Sequence, residues 1–161
     1  MNTLIVYYSM SGNTVYAAEQ IASKLGADTL RLKPVKTYPD KGFRKFFWGG
    51  KSALMSERPA LEPYSFKQEN YEQIVFGFPV WASCVTPPLR SFIEENRAGL
   101  EGKRLAAFAC QKGSGAEKAL AALRALLGVE SLAAEAVFID PKQKQGPETN
   151  QKIADFCEKL K

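Results

Sequence analysis

The sequence predicts an α/β protein, a three-layer α/β/α sandwich built around a five-stranded parallel sheet. Short apolar runs rich in β-branched and aromatic residues alternate with helical patterns from one end of the chain to the other. A parallel crossover needs a connection of helix length, so this alternation implies parallel strands with helices on both faces. The length of 161 residues and the 45% hydrophobic content fit one domain with its own core.

The first part of the chain supplies a strand, a helix and a second strand. Residues 4–8 form a short apolar run, and the helical stretch that follows ends at Gly26, a residue suited to a helix C-terminus. The predicted apolar face of this helix consists of Val15, Ala18, Ala22 and Leu25. Residues 29–32 alternate apolar and polar side chains before Pro34, which predicts a strand near an edge of the sheet.

Three further strands are predicted at residues 74–78, 105–110 and 134–139. The first of them is a continuous apolar run, which is typical of a strand that helices cover on both faces. These three segments complete the sheet.

Helices are predicted after each of these strands. Thr86 offers an N-cap hydroxyl before two prolines, and residues 116–127 form an Ala- and Leu-rich helix that ends at Gly128. Pro147 begins the last helix. The apolar positions of the first and last of these helices are Leu89, Phe92 and Ile93, and Ile153, Phe156, Cys157 and Leu160.

Composition excludes several kinds of chemistry. The chain has no histidine, which rules out histidine bases, Ser-His-Asp arrangements and histidine-ligated metals. Cys84, Cys110 and Cys157 lie far apart and lack the spacing of a zinc or dithiol site, so we expect free thiols. We therefore assign no catalytic side chain and no metal, and expect a cofactor to supply any chemistry.

Ligands of open α/β sheets bind beyond the carboxyl ends of the strands, so three loops are candidates. The first is Ser9, Met10, Ser11, Gly12, Asn13 and Thr14. Its hydroxyls, amide and backbone N–H groups can converge on an anion at a helix N-terminus, although an ordinary strand-to-helix turn would look similar. It contains no Lys or Arg, unlike a nucleoside-triphosphate loop.

The other two candidate loops follow residues 78 and 110. In the second loop, Trp81 could stack on a planar ring or be a partly buried core residue. The third loop offers backbone groups with little obstruction, or is a turn before the next helix. These loops consist of Pro79, Val80, Trp81, Ala82 and Ser83, and of Cys110, Gln111, Lys112, Gly113, Ser114 and Gly115.

The segment from Tyr8 to Thr14 resembles the phosphate loop of the flavodoxin family, and Phe78-Pro79-Val80-Trp81 is similar to its second flavin loop. The resemblance implies strand order 2-1-3-4-5 and bound FMN. It implies that Ser9, Ser11, Asn13 and Thr14 bind the phosphate, with backbone groups of Met10 and Gly12. It also implies that Trp81 stacks on the ring within a loop shaped by Pro79, Val80 and Ala82, and that Cys110, Gln111, Lys112 and Gly113 border the pyrimidine edge.

Lys112 departs from the family pattern, because flavodoxins often present an acidic third loop with a tyrosine. A positive charge at the pyrimidine end would stabilise anionic reduced flavin. We therefore expect a less negative potential for full reduction than in an acidic relative.

A basic insert distinguishes the chain. Residues 31–58 hold eight basic and two acidic side chains, whereas the whole chain carries a net charge of only +5. We expect a single domain, 1–161, with an insert at about 35–72 between strands 2 and 3. Within the insert we predict a docked helix with a break at Gly49 and Gly50, whose apolar positions are Phe43, Phe46, Phe47, Leu54 and Met55.

The leading functional hypothesis is an FMN protein that carries electrons between partner proteins. An NAD(P)H-dependent reductase of quinones or other small acceptors is the alternative, and a cofactor-free interaction module is a third. The basic insert could be a solvated helix, could steer acidic redox partners, or could bind nucleic acid or a membrane surface. We expect no nucleic-acid partner, no membrane span and, without a recognisable leader, a cytoplasmic location.

Overall fold

A computed structural model of the protein describes residues 1–37 and 57–161. Five parallel strands form one sheet in the order β2-β1-β3-β4-β5, which confirms the predicted architecture and strand order. The strands are β1 (Thr3–Tyr7), β2 (Asp28–Arg31), β3 (Gln73–Pro79), β4 (Arg104–Gln111) and β5 (Glu135–Ile139). Their bounds differ from the predicted ones by at most one residue at each end, and β2 lies at an edge as expected.

Five α-helices accompany the sheet in the described residues. They are α1 (Asn13–Leu25), α2 (Pro87–Glu95), α3 (Arg97–Leu100), α4 (Ala116–Leu127) and α5 (Pro147–Glu158). A 3₁₀ turn, Gln68–Asn70, precedes β3. Gly26 and Gly128 both adopt left-handed conformations after α1 and α4, with φ of 63° and 72°, which confirms their predicted role as helix stops.

Two apolar clusters lie on the two faces of the sheet and join it to the helices of the outer layers. The first is made with α2 and α4, and the second with α1 and α5. The central strand β3 is buried from residue 73 to residue 78, because helices cover both of its faces. All four apolar positions predicted for α5 are buried.

The predicted apolar face of α1 packs against the core, whereas one prediction for α2 is wrong. Ala18 is fully buried in the second cluster, and Val15, Ala22 and Leu25 are half-buried and pack against it. The other fully buried positions of α1 are Thr14, Ala17 and Ile21. Thr86 precedes α2, but its hydroxyl makes no capping hydrogen bond and is buried without a partner in the described part of the chain. Burial of Thr86 against the core thus replaces the predicted cap.

The predicted helix with Phe43, Phe46, Phe47, Leu54 and Met55 lies outside the described residues. The segments on either side of residues 38–56 pair with each other beside β2. Pro34 and Leu61 form an antiparallel bridge, and Val35 N donates to Ala60 O at 2.8 Å. Cys84, Cys110 and Cys157 are free thiols, as predicted.

Candidate functional site

The three candidate loops meet at the carboxyl end of the sheet around an open cavity of about 240 Å³. This convergence follows from topology, since β1, β3 and β4 are adjacent parallel strands. Ten of the fourteen predicted site residues line the cavity: Ser11, Asn13, Pro79, Val80, Trp81, Ala82, Cys110, Gln111, Lys112 and Gly113. Ser114 lines it as well, whereas the other four predicted residues, Ser9, Met10, Gly12 and Thr14, do not line the cavity.

The first loop forms an anion cradle at the N-terminus of α1. Gly12 has a φ of 93°, a conformation that glycine adopts without strain. Within the described residues, the backbone N–H groups from residue 11 to residue 14 donate no hydrogen bond. Ser9 Oγ instead accepts from Val15 N at 3.3 Å, so this buried hydroxyl supports the first turn of α1. The loop presents free donors to an anion.

Thr14 contributes a buried hydroxyl beside this cradle, next to the Cys110 thiol. The residue is only 1% exposed, and its Oγ1 lacks a conventional hydrogen-bond partner among the described residues. Burial raises the pKa of the neighbouring Cys110 thiol to about 12, an effect that the Thr14 hydroxyl offsets only in part. Cys110 is therefore a neutral thiol at physiological pH and a poor nucleophile.

The second loop holds a strained turn. Cys84 N donates to Trp81 O at 2.9 Å, and the two residues between them, Ala82 and Ser83, have φ of 49° and 58°. Two positive φ angles are typical of a type I′ turn, which usually contains glycine or asparagine. Trp81 lies edge-on against Tyr8, with ring centroids 5.5 Å apart. Trp81 is thus held at the cavity by a turn and by an aromatic contact.

The third loop is joined to the second by close backbone contacts. Val80 N donates to Cys110 O at 2.9 Å. A Cβ added to Gly115 would lie 2.6 Å from Ser83 Oγ and 3.3 Å from Ser83 Cα, so a larger residue would push the turn away. Gln111 Oε1 accepts from Ala116 N at 3.0 Å and fixes the start of α4.

A fourth loop, which follows β5, also reaches the site and was not predicted. Asn13 Oδ1 accepts from Lys142 N at 3.1 Å, and Asn13 Nδ2 donates to Asp140 Oδ1 at 3.3 Å. The Asn13 side chain therefore binds protein groups in this structure. The sequence offered only the position of this loop as a clue, because residue 140 directly follows a strand.

Two further findings concern membranes and metals. Among residues 1–37 and 57–161, no helix combines the length and apolarity needed to span a bilayer. The same residues contain no cluster of three or more acidic or cysteine side chains that could hold a metal ion.

Solved structures similar to this chain share its fold. An FMN complex of a flavoprotein from Lactobacillus acidophilus is 20% identical, with a TM-score of 0.74 over 88% of this chain and 95% of that one. Oxidised flavodoxin 2 from Bacillus cereus is 17% identical, with a TM-score of 0.59 over 99% and 97%. Two-electron reduced flavodoxin from Megasphaera elsdenii is 16% identical, with a TM-score of 0.58 over 97% and 98%.

Sequence comparison places the chain in a family. No protein with curated annotation matches it. The sequence model of the flavodoxin family, however, matches residues 2–160. The chain therefore belongs to the flavodoxin family.

Proposed function

We propose that this protein binds FMN at the four-loop end of the sheet and carries electrons between partner proteins. The observation that carries the proposal is the cavity at which three predicted flavin loops converge, next to a cradle of free N–H groups. Family membership and the FMN complex of the Lactobacillus acidophilus flavoprotein support the same cofactor. FMN would supply one- and two-electron transfer.

Each loop has a distinct task in this proposal. The cradle and the Thr14 hydroxyl bind the phosphate, and the buried, unpartnered state of Thr14 Oγ1 fits this role. Trp81 stacks on the ring, and the turn that follows it shapes the pocket around the ring. The third loop borders the pyrimidine edge, where the exposed Lys112 ammonium stabilises negative charge.

Reconstitution tests cofactor binding directly. Apoprotein titrated with FMN should quench flavin fluorescence stoichiometrically and yield a yellow protein. Substitution of Trp81 by Leu should weaken this binding and alter the flavin spectrum, because it removes the stacking partner. Wild-type protein that stays colourless would overturn the proposal and favour a cofactor-free interaction module.

A second candidate function is an NAD(P)H-dependent reductase. The exposed residues of the third loop are Lys112, Gly113 and Ser114, so this loop contributes no aromatic ring to cover the flavin. A nicotinamide ring could therefore approach from that side. Stopped-flow mixing of the FMN-loaded protein with NADPH separates the two functions, since rapid bleaching without an added reductase identifies the enzyme and slow bleaching identifies the carrier.

We further propose that the chain is a single domain and that its basic insert steers acidic redox partners. The exposed Arg31, Lys33 and Lys36 precede the undescribed residues, and long-range attraction raises association rates. The electron-transfer rate with an acidic partner should therefore fall steeply with ionic strength. A rate independent of salt would contradict steering without affecting FMN binding.

A further inference from the structure

The Lys142 side chain lies along the anion cradle that the first loop forms at the N-terminus of α1. A Cβ added to Gly12 would lie 3.1 Å from Lys142 Nζ and 3.3 Å from Lys142 Cδ. The ammonium group is thus next to the glycine at the start of α1, although 129 residues separate Lys142 from Asn13 in sequence.

Asn13 fixes the backbone that carries this lysine. It accepts from Lys142 N and donates to Asp140 Oδ1, while Asp140 N donates to Gln111 O at 3.1 Å. Asp140 has a φ of 42°, unusual for a residue other than glycine. The loop after β5 is therefore tied to the first and third loops.

The charge at this point favours an anion. The N-terminus of α1 carries partial positive charge, and its first turn contains no acidic residue. Arg31 Nη2 donates to Ser9 O at 3.3 Å and adds another cation. The acid nearest in the hydrogen-bond network is Asp140, which accepts from Asn13. Within residues 1–37 and 57–161, no carboxylate lies within 4.0 Å of Lys142 Nζ.

We propose that Lys142 pairs with the phosphate of the bound flavin nucleotide and that Asn13 is a positioning residue for it. Placing cations beside a helix N-terminus is unfavourable until an anion lies between them, and a phosphate would accept from the ammonium and from the free N–H groups together. This inference rests on the proposed function. It changes the role of Asn13, which acts through Lys142 rather than on the phosphate.

Comparison of FMN with riboflavin, which lacks the phosphate, tests the proposal. Lys142→Met, which keeps the apolar stem, should raise the Kd for FMN about tenfold at low salt and leave the Kd for riboflavin within about twofold. Lys142→Arg should restore most of the FMN affinity. Lys144→Met, a matched change in the same loop, should alter neither Kd by more than about twofold.

A double-mutant cycle tests the positioning role. Asn13→Ala should weaken FMN binding when Lys142 is present. In the Lys142→Met background it should have little further effect, because both substitutions remove the same interaction.

The outcomes separate this inference from the proposed function. Equal losses for FMN and riboflavin in Lys142→Met, unchanged binding of FMN, or additive effects in the cycle would each overturn it while FMN binding by the wild type stands. A wild type that binds neither flavin would overturn the proposed function, and this inference with it.

Discussion

The two ends of the sheet use their hydrogen-bond donors very differently, although Gln73 Oε1 at the amino end is also buried without a partner in the described residues. At the amino end, side chains donate to backbone carbonyls and connect strands to the C-terminus. At the carboxyl end, donors and hydroxyls are left without partners in the described residues, and the backbone is strained. The difference indicates that the amino end stabilises the fold and the carboxyl end is organised for a ligand.

The amino end is closed by hydrogen bonds that range from buried to exposed. Gln73 Nε2 donates to Thr3 Oγ1 at 2.9 Å and to Leu160 O at 3.3 Å. Arg104 donates to Lys159 O at 2.6 Å and to Leu160 O at 3.2 Å. These contacts fix the end of α5 against β1, β3 and β4.

The carboxyl end concentrates strain and unpaired donors. Ala82, Ser83 and Asp140 are the three non-glycine residues with positive φ in the part of the chain that the structure describes, and all three are at this end. The free N–H groups of the first loop and the Thr14 hydroxyl lie there too. Strained backbone and unpaired polar groups are concentrated at ligand-binding and active sites in proteins.

The largest expected effect is on stability, at the amino end. Gln73→Ala should lower the free energy of unfolding by about 3 kcal/mol, because it creates a cavity at a fully buried position and removes one hydrogen bond each from Thr3 Oγ1 and Leu160 O. Urea denaturation of the apoprotein measures this loss. Gln151→Ala, which removes an exposed hydrogen bond to Asp155, should cost less than about 0.5 kcal/mol. A large loss of FMN affinity in refolded Gln73→Ala would argue against separate roles for the two ends.

The next effect is on binding, at the carboxyl end. Thr14→Val should weaken FMN binding by about 2 kcal/mol, since it removes a hydroxyl that the phosphate would engage, and should stabilise the apoprotein by about 1 kcal/mol. Thr86→Val is the matched control, because Thr86 Oγ1 is also buried and unpartnered in the described residues but lies at the start of α2 rather than in the first loop. It should stabilise the apoprotein equally without changing the Kd for FMN. Calorimetry and unfolding curves give both quantities, and equal Kd changes in both variants would contradict the role of Thr14.

A smaller effect concerns the flavin potential. Lys112→Glu should make the potential for full reduction more negative by roughly 50 mV, from reversal of one exposed charge near the pyrimidine edge. Lys24→Glu makes the same charge change in the last turn of α1, near the amino end, and should leave the potential unchanged. Redox titration compares the two, and an unaltered potential in Lys112→Glu would refute the proposed position of the lysine.

The smallest effect comes from relief of strain. Ala82→Gly should stabilise the apoprotein by about 0.5 kcal/mol, because glycine adopts positive φ without a steric cost. The same change at Ala22, inside α1, should destabilise it by about 1 kcal/mol. Thermal unfolding of the two variants shows whether Ala82→Gly raises the stability of the apoprotein while Ala22→Gly lowers it.

The sequence predicted the architecture well because the fold depends on repeated patterns. Each strand and long helix produced a run or a periodicity over several residues, and Gly26 and Gly128 marked their helix ends. The convergence of three loops followed from parallel strands, since their carboxyl ends share one edge. The side-chain roles at the cavity came from the resemblance and stay predictions.

Other features could not be predicted because they depend on single contacts. The turn at Ala82 and Ser83 contains neither glycine nor asparagine, so its residue types conceal its positive φ angles. The contact of Lys142 with Gly12 joins distant parts of the chain and has no motif. Thr86 is of a residue type that often caps helices, and only the structure shows that its buried hydroxyl makes no capping hydrogen bond.

The raised pKa of Cys110 has a consequence for durability. Reduced flavin that meets oxygen generates peroxide, and peroxide oxidises thiolates far faster than thiols. Because burial raises the pKa of Cys110 to about 12, the thiol stays protonated at pH 7. With FMN bound at the proposed site, the sulfur atom in the cavity wall would be protected from the peroxide that the reduced cofactor makes in air, and would escape oxidation to sulfinic acid.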